Sequence, residues 1–207
     1  MSSSTSSSLP SKLQLKIFAA APAARPPSLE AFIPIFHQWI KDHVLNELAI
    51  DVANYAHVPK GPGVVLIGHN CDYFVDESEG RFGLLHNRKR GSVPAESRLE
   101  DLVRRTLHAA ALLEKEPALG GAVTFSPKEL LFRINDRLAG PATDATFAAV
   151  RPALEALGRR LFSGPFELTR AGDAKSLFAV KVFSPGETAP VGELLARLGG
   201  PPVPDLP

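Results

Sequence analysis

Between residues 47 and 88 the chain runs through short β-branched and aromatic stretches separated by turn-forming clusters, and helical spacing does not fit that stretch. Glu47 to His57 (ELAIDVANYAH) has strand character, and Val58-Pro-Lys-Gly-Pro-Gly63 turns. Val64 to Asn70 (VVLIGHN) is an apolar, β-branched run that Tyr73 to Asp76 continues; Glu77-Ser-Glu-Gly80 turns again and Arg81 to Asn87 returns. Strands joined by tight turns are antiparallel neighbours, because a parallel connection needs about a dozen residues or more. Residues 47–88 are therefore expected to form a three-stranded antiparallel meander.

The flanking segments supply the layer that covers it. Leu13, Leu15 and Ile17 share one face of a strand spanning Leu13 to Ala20. A helix from Ser28 to about Val44 carries the stripe Leu29, Phe32, Ile33, Phe36, Ile40 and Val44, with Pro34 predicting a kink or a late start. Helices are likewise expected from Ser97 to Lys115 and from Asp144 to Phe162, the latter containing Pro152. Strands are expected over Ala122 to Phe125, Leu130 to Leu138, Phe166 to Arg170 and Leu177 to Phe183. Aligning Pro34 with Pro152 sets Leu48 opposite Phe166 without a gap, so each half reads β-α-β-β. The fold class is α+β, a mainly antiparallel sheet with helices packed on one face. The halves are either tandem ferredoxin-like units or two unrelated α/β units. Four regions follow: a disordered Ser-rich start (1–11), a first half with the meander (12–90), a second half that begins with a bridging helix (91–185), and a Pro/Gly-rich tail (186–207). In the tail, Val191, Leu194, Leu195 and Leu198 make a short amphipathic helix, which either docks on the domain or recruits a partner.

Charge and composition narrow the function. Among 207 residues, 23 Lys and Arg balance 22 Asp and Glu, so no global positive field draws nucleic acid. The basic residues Arg88, Lys89, Arg90, Arg98, Arg104 and Arg105 are interrupted by Glu96, Glu100 and Asp101, which reads as a solvated face. A single cysteine, Cys71, excludes an intramolecular disulfide and fits a reducing, cytoplasmic setting. No run approaches the length of a membrane span. Phosphate loops, dinucleotide fingerprints, nucleophile elbows and the His-Glu-x-x-His signature are all absent, so enzymatic activity finds no support.

Two residue groups remain. Pairing Asp76 with Arg81 across the second turn sets Cys71 opposite His86 and His69 opposite Arg88. His69, Cys71 and His86 would then share one face, at a spacing able to hold a transition metal or a haem iron. The ordinary alternative is a buried thiol beside hydrogen-bonded imidazoles. The second group, Tyr55, His57, Asp72 and Tyr73, gathers both tyrosines of the chain near carboxylates and suits a ligand-binding surface. The leading expectation is a ligand-binding or protein-interaction module whose partner is a small molecule, another protein or a second copy of the chain. The alternatives are a metal- or haem-binding protein or enzyme using His69, Cys71 and His86, or a scaffold that recruits a partner through its tail.

Overall fold

The computed structural model describes residues 9–20, 27–91, 93–173 and 175–202. The serines up to residue 8, the Pro-rich connection at 21–26 and the last residues of the tail lie outside them. In chain order the regular elements are β1 (Leu13–Ala19), α1 (Phe32–Lys41), β2 (Ala49–Tyr55), β3 (Gly63–Gly68), β4 (Cys71–Asp76), β5 (Gly83–Arg88), α2 (Arg98–Glu114), β6 (Phe125–Ile134), α3 (Asp144–Leu161), β7 (Glu167–Ala171), β8 (Phe178–Phe183) and α4 (Val191–Arg197). The strands form one sheet in the order β2-β3-β4-β5-β1-β6-β8-β7, with every neighbouring pair antiparallel. The protein is thus α+β with an antiparallel sheet. β1 lies inside it, Leu13 facing Arg88 on one side and Ile134 on the other, while β2 and β7 are the edges.

Alternation along the strands decides which face is covered. Leu13, Leu15 and Ile17 point into one cluster with Phe32, Ile35, Phe36 and Trp39 of α1, Leu99, Leu102, Leu107 and Leu113 of α2, Val150, Leu154 and Leu161 of α3, and Val191, Leu194 and Leu195 of α4. All four helices therefore pack on the same side. The alternate residues Lys16 and Phe18 belong to the other face, where Phe18 meets Leu131 and Ala179. Lys16 is buried there, and its Nζ is gripped by the Asp76 carboxylate, the Ser78 hydroxyl and the Ser78 carbonyl.

Several expectations are corrected. The meander has four strands, because a two-residue turn at His69-Asn70 splits the run read as one strand into β3 and β4, whose ends pair Ile67 with Asp72. A single strand, β6, replaces the two expected between 122 and 138; Pro127 sits where its pairing with β1 jumps from Ile17–Leu130 to Ala19–Phe125, and an irregular stretch is where a strand tolerates proline. Pro34 falls in the first turn of α1, which starts late, after a short 3-10 turn at Leu29–Ala31. The register of β4 with β5 is displaced by two residues: Asp76 faces Gly83, not Arg81. A 3-10 turn at Ser78–Gly80, with Gly80 at φ 68°, lengthens the loop, and Lys16 fills it. A two-residue shift keeps each side chain on its face but changes its neighbour, so Tyr73 meets His86 and Cys71 meets Arg88.

Candidate functional site

The covered face of β4 and β5 holds a buried polar cluster beneath α2. Arg105 enters from α2, donating through Nε to both Asp101 carboxylate oxygens at 3.0 Å and through Nη1 to the Asn46 carbonyl at 2.6 Å. Arg88 of β5 donates to Asp101 Oδ2 at 2.9 Å. Glu47 lies 3.9 Å from Arg105 and accepts the Asn70 N–H at 2.9 Å, so the cluster ties α2 and β5 to the segment before β2 and to the β3–β4 turn. Beside it the Tyr73 and His86 rings stack, centroids 4.7 Å apart and 14° between planes. The His86 Nδ1 lies 3.2 Å from the Leu102 carbonyl, which only accepts, so Nδ1 carries the proton. Among the described residues, His86 Nε2 and Arg88 Nε and Nη2 have no hydrogen-bond partner.

The electrostatics of this cluster are those of a pin between layers. Burial pushes the Cys71 thiol well above its ordinary range, with Glu47 adding to it, and burial does the same to the Tyr73 phenol. Burial, then the Arg105 charge, drives His86 down to about 3. Burial opposes the charge on Arg105, and Asp101 more than restores it. At neutral pH the site thus offers neither a thiolate nor a titrating imidazole, while two guanidiniums face two carboxylates. Such buried pairs add little net stability, but removing one partner leaves an uncompensated charge and costs about 3–5 kcal/mol.

The residues singled out from the sequence disperse. Tyr73, His86 and Cys71 share the buried cluster. His69 stands exposed in the β3–β4 turn, outside the strand that was to align it with Cys71. No group of three or more His, Cys, Asp or Glu side chains is arranged to hold a metal ion among the described residues. Asp72 points to the opposite face, 2.7 Å from Lys89 Nζ and accepting from Asn87 at 3.3 Å. Tyr55 and His57 are exposed at the far end of β2. Sequence patterning misses Glu47, Arg88, Asp101 and Arg105; the two arginines, read as solvated, are among the largest fully buried side chains. The available signal was an i, i+4 Asp101–Arg105 pair bordering the apolar stripe of α2.

Exposed large apolar side chains are most frequent around β2. Five large apolar side chains are exposed among the described residues, and four of them fall in or beside β2: Leu48, Ile50 (57%), Tyr55 and Val58. Ile50 is the extra residue of a bulge, since Ala49 pairs with Gly68 and Asp51 with Ile67. At the end of the strand, Leu29, Tyr55, Ala56, Val58, Lys60 and Glu77 line a surface hollow of about 300 Å³. Gly63 shapes its wall: it sits at φ 68°, and a Cβ there would lie 2.1 Å from the Val75 carbonyl. None of the known family models, curated protein sequences or solved structures compared with the chain matches it. No helix of the described residues is long and apolar enough to cross a membrane.

Proposed function

We propose that this chain is a protein-interaction module that takes up an extended partner segment at the free edge of β2, with the adjoining hollow receiving a side chain at the end of the strand. The observation that carries this reading is an edge strand that exposes Ile50 and Tyr55 and is flanked by exposed Leu48 and Val58. Edge strands in soluble proteins are ordinarily guarded by lysine, proline or inward charges, because their unpaired N–H and C=O groups template further pairing. Here Asp51 is the only charged residue between 49 and 55. Partners that add a strand gain affinity from main-chain bonds and specificity from alternate side chains. The reading needs no catalytic group, and it leaves Cys71, Tyr73 and His86 a structural role. The single, unpaired cysteine goes with a cytoplasmic setting.

A fold-level proposal accompanies it: the two halves are divergent, ferredoxin-like β-α-β-β copies. In support, β8 returns beside β6 as β5 returns beside β1, the first half differing by two extra strands.

Selection of random phage-displayed peptides on the immobilised protein tests the interaction reading. Enriched peptides are expected to be extended and apolar-alternating, and to lose at least about tenfold in affinity on an Ile50→Lys variant. Peptides that bind wild type and variant alike would place recognition elsewhere and end this reading.

A further inference from the structure

We propose that the partner at the β2 edge is the β2 edge of a second copy of this chain, paired antiparallel about a two-fold axis normal to the sheet. The inference rests on the strand-addition reading above and names its occupant.

The backbone is prepared for it. The Val52 N–H bonds the carboxylate of its own neighbour Asp51 at 2.8 Å, not a strand, so it is directed away from β3. By the alternation of an antiparallel ladder, the backbone groups of Asn54 point the same way. An incoming strand replaces one exposed side-chain bond with main-chain bonds at both positions.

Charge then selects among registers. Centring the axis on Val52 sets Asp51 opposite Ala53 of the second copy. Centring it on Ala53 sets Asp51 opposite Tyr55, whose hydroxyl is able to donate to the carboxylate. Only an axis through Asp51 brings like charges face to face, which is destabilising. The strand is therefore self-compatible in two of the three central registers.

Closure favours like with like. The opposite edge, β7, carries Glu167 and Arg170, and Arg170 is held by Asp144 at 3.0 Å and by the Ala142 carbonyl at 3.1 Å. Pairing β2 with β7 of another molecule is heterologous and propagates into open fibres, whereas β2 with β2 closes at two subunits. A two-fold axis normal to the sheet keeps both sets of helices on one side. It also brings α1, which packs against β2, alongside its counterpart. With the axis on Ala53, Leu48 also falls opposite Val58, and Ile50 opposite Ala56, so apolar side chains flank the Asp51–Tyr55 pair.

The test is sedimentation velocity of the full chain over a wide concentration series, with Ile50→Lys and Val52→Pro beside the wild type. Ile50 is exposed, and the Val52 N–H is directed to the Asp51 carboxylate, so neither substitution removes a donor aimed at β3, although Val52→Pro also trims packing against the core. The expected result is a concentration-dependent dimer in the wild type, with the dissociation constant raised about tenfold or more in each variant. Hydrogen exchange on the unmutated protein, at low and high concentration, guards against a variant that fails to fold: the amides of Val52 and Asn54 should slow as concentration rises. A wild type monomeric throughout, a dimer that survives in both folded variants, or concentration-independent exchange at 52 and 54 each overturns the proposal. A monomer that still selects peptides through Ile50 removes only the second copy and leaves strand addition standing; loss of both removes both.

Discussion

The two edges of the sheet are secured in opposite ways. At β2 most of the charge is inside: Arg105, Asp101, Arg88 and Glu47 fasten the segment leading into the strand from beneath α2, and the outer rim carries one charge, Asp51, among exposed apolar side chains. At β7 the rim is charged: Arg170 engages Asp144, and Arg151 and Arg159 both approach Glu155 on the neighbouring helix, while the Phe162 and Phe166 rings, 5.7 Å apart, and the buried Glu187, paired with Arg197, lie beneath. Charge on a rim repels further strands, and charge beneath a strand fixes its position without guarding it. An anchored edge guarded only by one charge and one bulge is better suited to docking than the charged rim of β7.

The largest effect expected to break this contrast is loss of the inner pin. Asp101→Ala strips two buried guanidiniums of their shared carboxylate and is expected to cost about 3–5 kcal/mol in urea unfolding, with amides of β2 and the β3–β4 turn losing protection first. Uniform loss of protection across β2 and β7 would show that the pin serves the whole sheet.

Acid should separate the two sides next. The unfolded chain protonates His86 near 6.5, whereas the folded chain resists until about 3, so stability complete above pH 6.5 falls away as pH drops toward 3. At up to about 1.4 kcal/mol per unit, roughly 2–3 kcal/mol is gone by pH 4.5. His108, also lowered by burial and then by Arg105, acts in the same direction. A His86→Asn variant should lose most of this slope in a pH series of melting curves, even though it starts less stable.

On the β7 side the corresponding group is Glu187. Burial raises its carboxyl, but the N–H groups of Ser163 and Ala189 and the Arg197 guanidinium outweigh that and hold it at about 2 against an ordinary 4.5. Its contribution is present above pH 4.5 and lost as pH falls through 2, a narrower window and a smaller total. Glu187→Gln should flatten only that lower limb.

The smallest stability change is expected where the outer guard is removed. Replacing Glu167 and Arg170 by threonine should alter unfolding by no more than about 1 kcal/mol, since exposed pairs contribute little. The same change should create new association through β7, read as species beyond a dimer in sedimentation. A double variant that stays no larger than the wild type would mean the rim charges are not what keeps β7 free.

The sequence reveals those parts of the fold that follow from local period. Leu13, Leu15 and Ile17 at spacing two, and the α2 stripe at spacing three and four, place their elements to within a few residues because burial is imposed one face at a time. The β3–β4 turn escapes, because His69-Asn70 interrupts an apolar run without glycine or proline at either turn position. The β4–β5 register escapes because it depends on Lys16, a residue of another strand, filling the loop. The buried cluster is hidden for a deeper reason: a charged side chain alone reads as solvated, and its burial is permitted only by partners from four separate segments. The β2 strand is legible; that it ends the sheet is not, since edge position is a property of strand order.

The place of β1 in that order has a consequence for the nascent chain. Synthesised before its neighbours, this strand must remain unpaired on both flanks until residues 83–88 and then 125–134 have been translated. Loop closure over such separations is slow. Leu13, Leu15 and Ile17 lack both sheet neighbours throughout that interval, and the sheet is sealed from its middle only once residue 134 has been made.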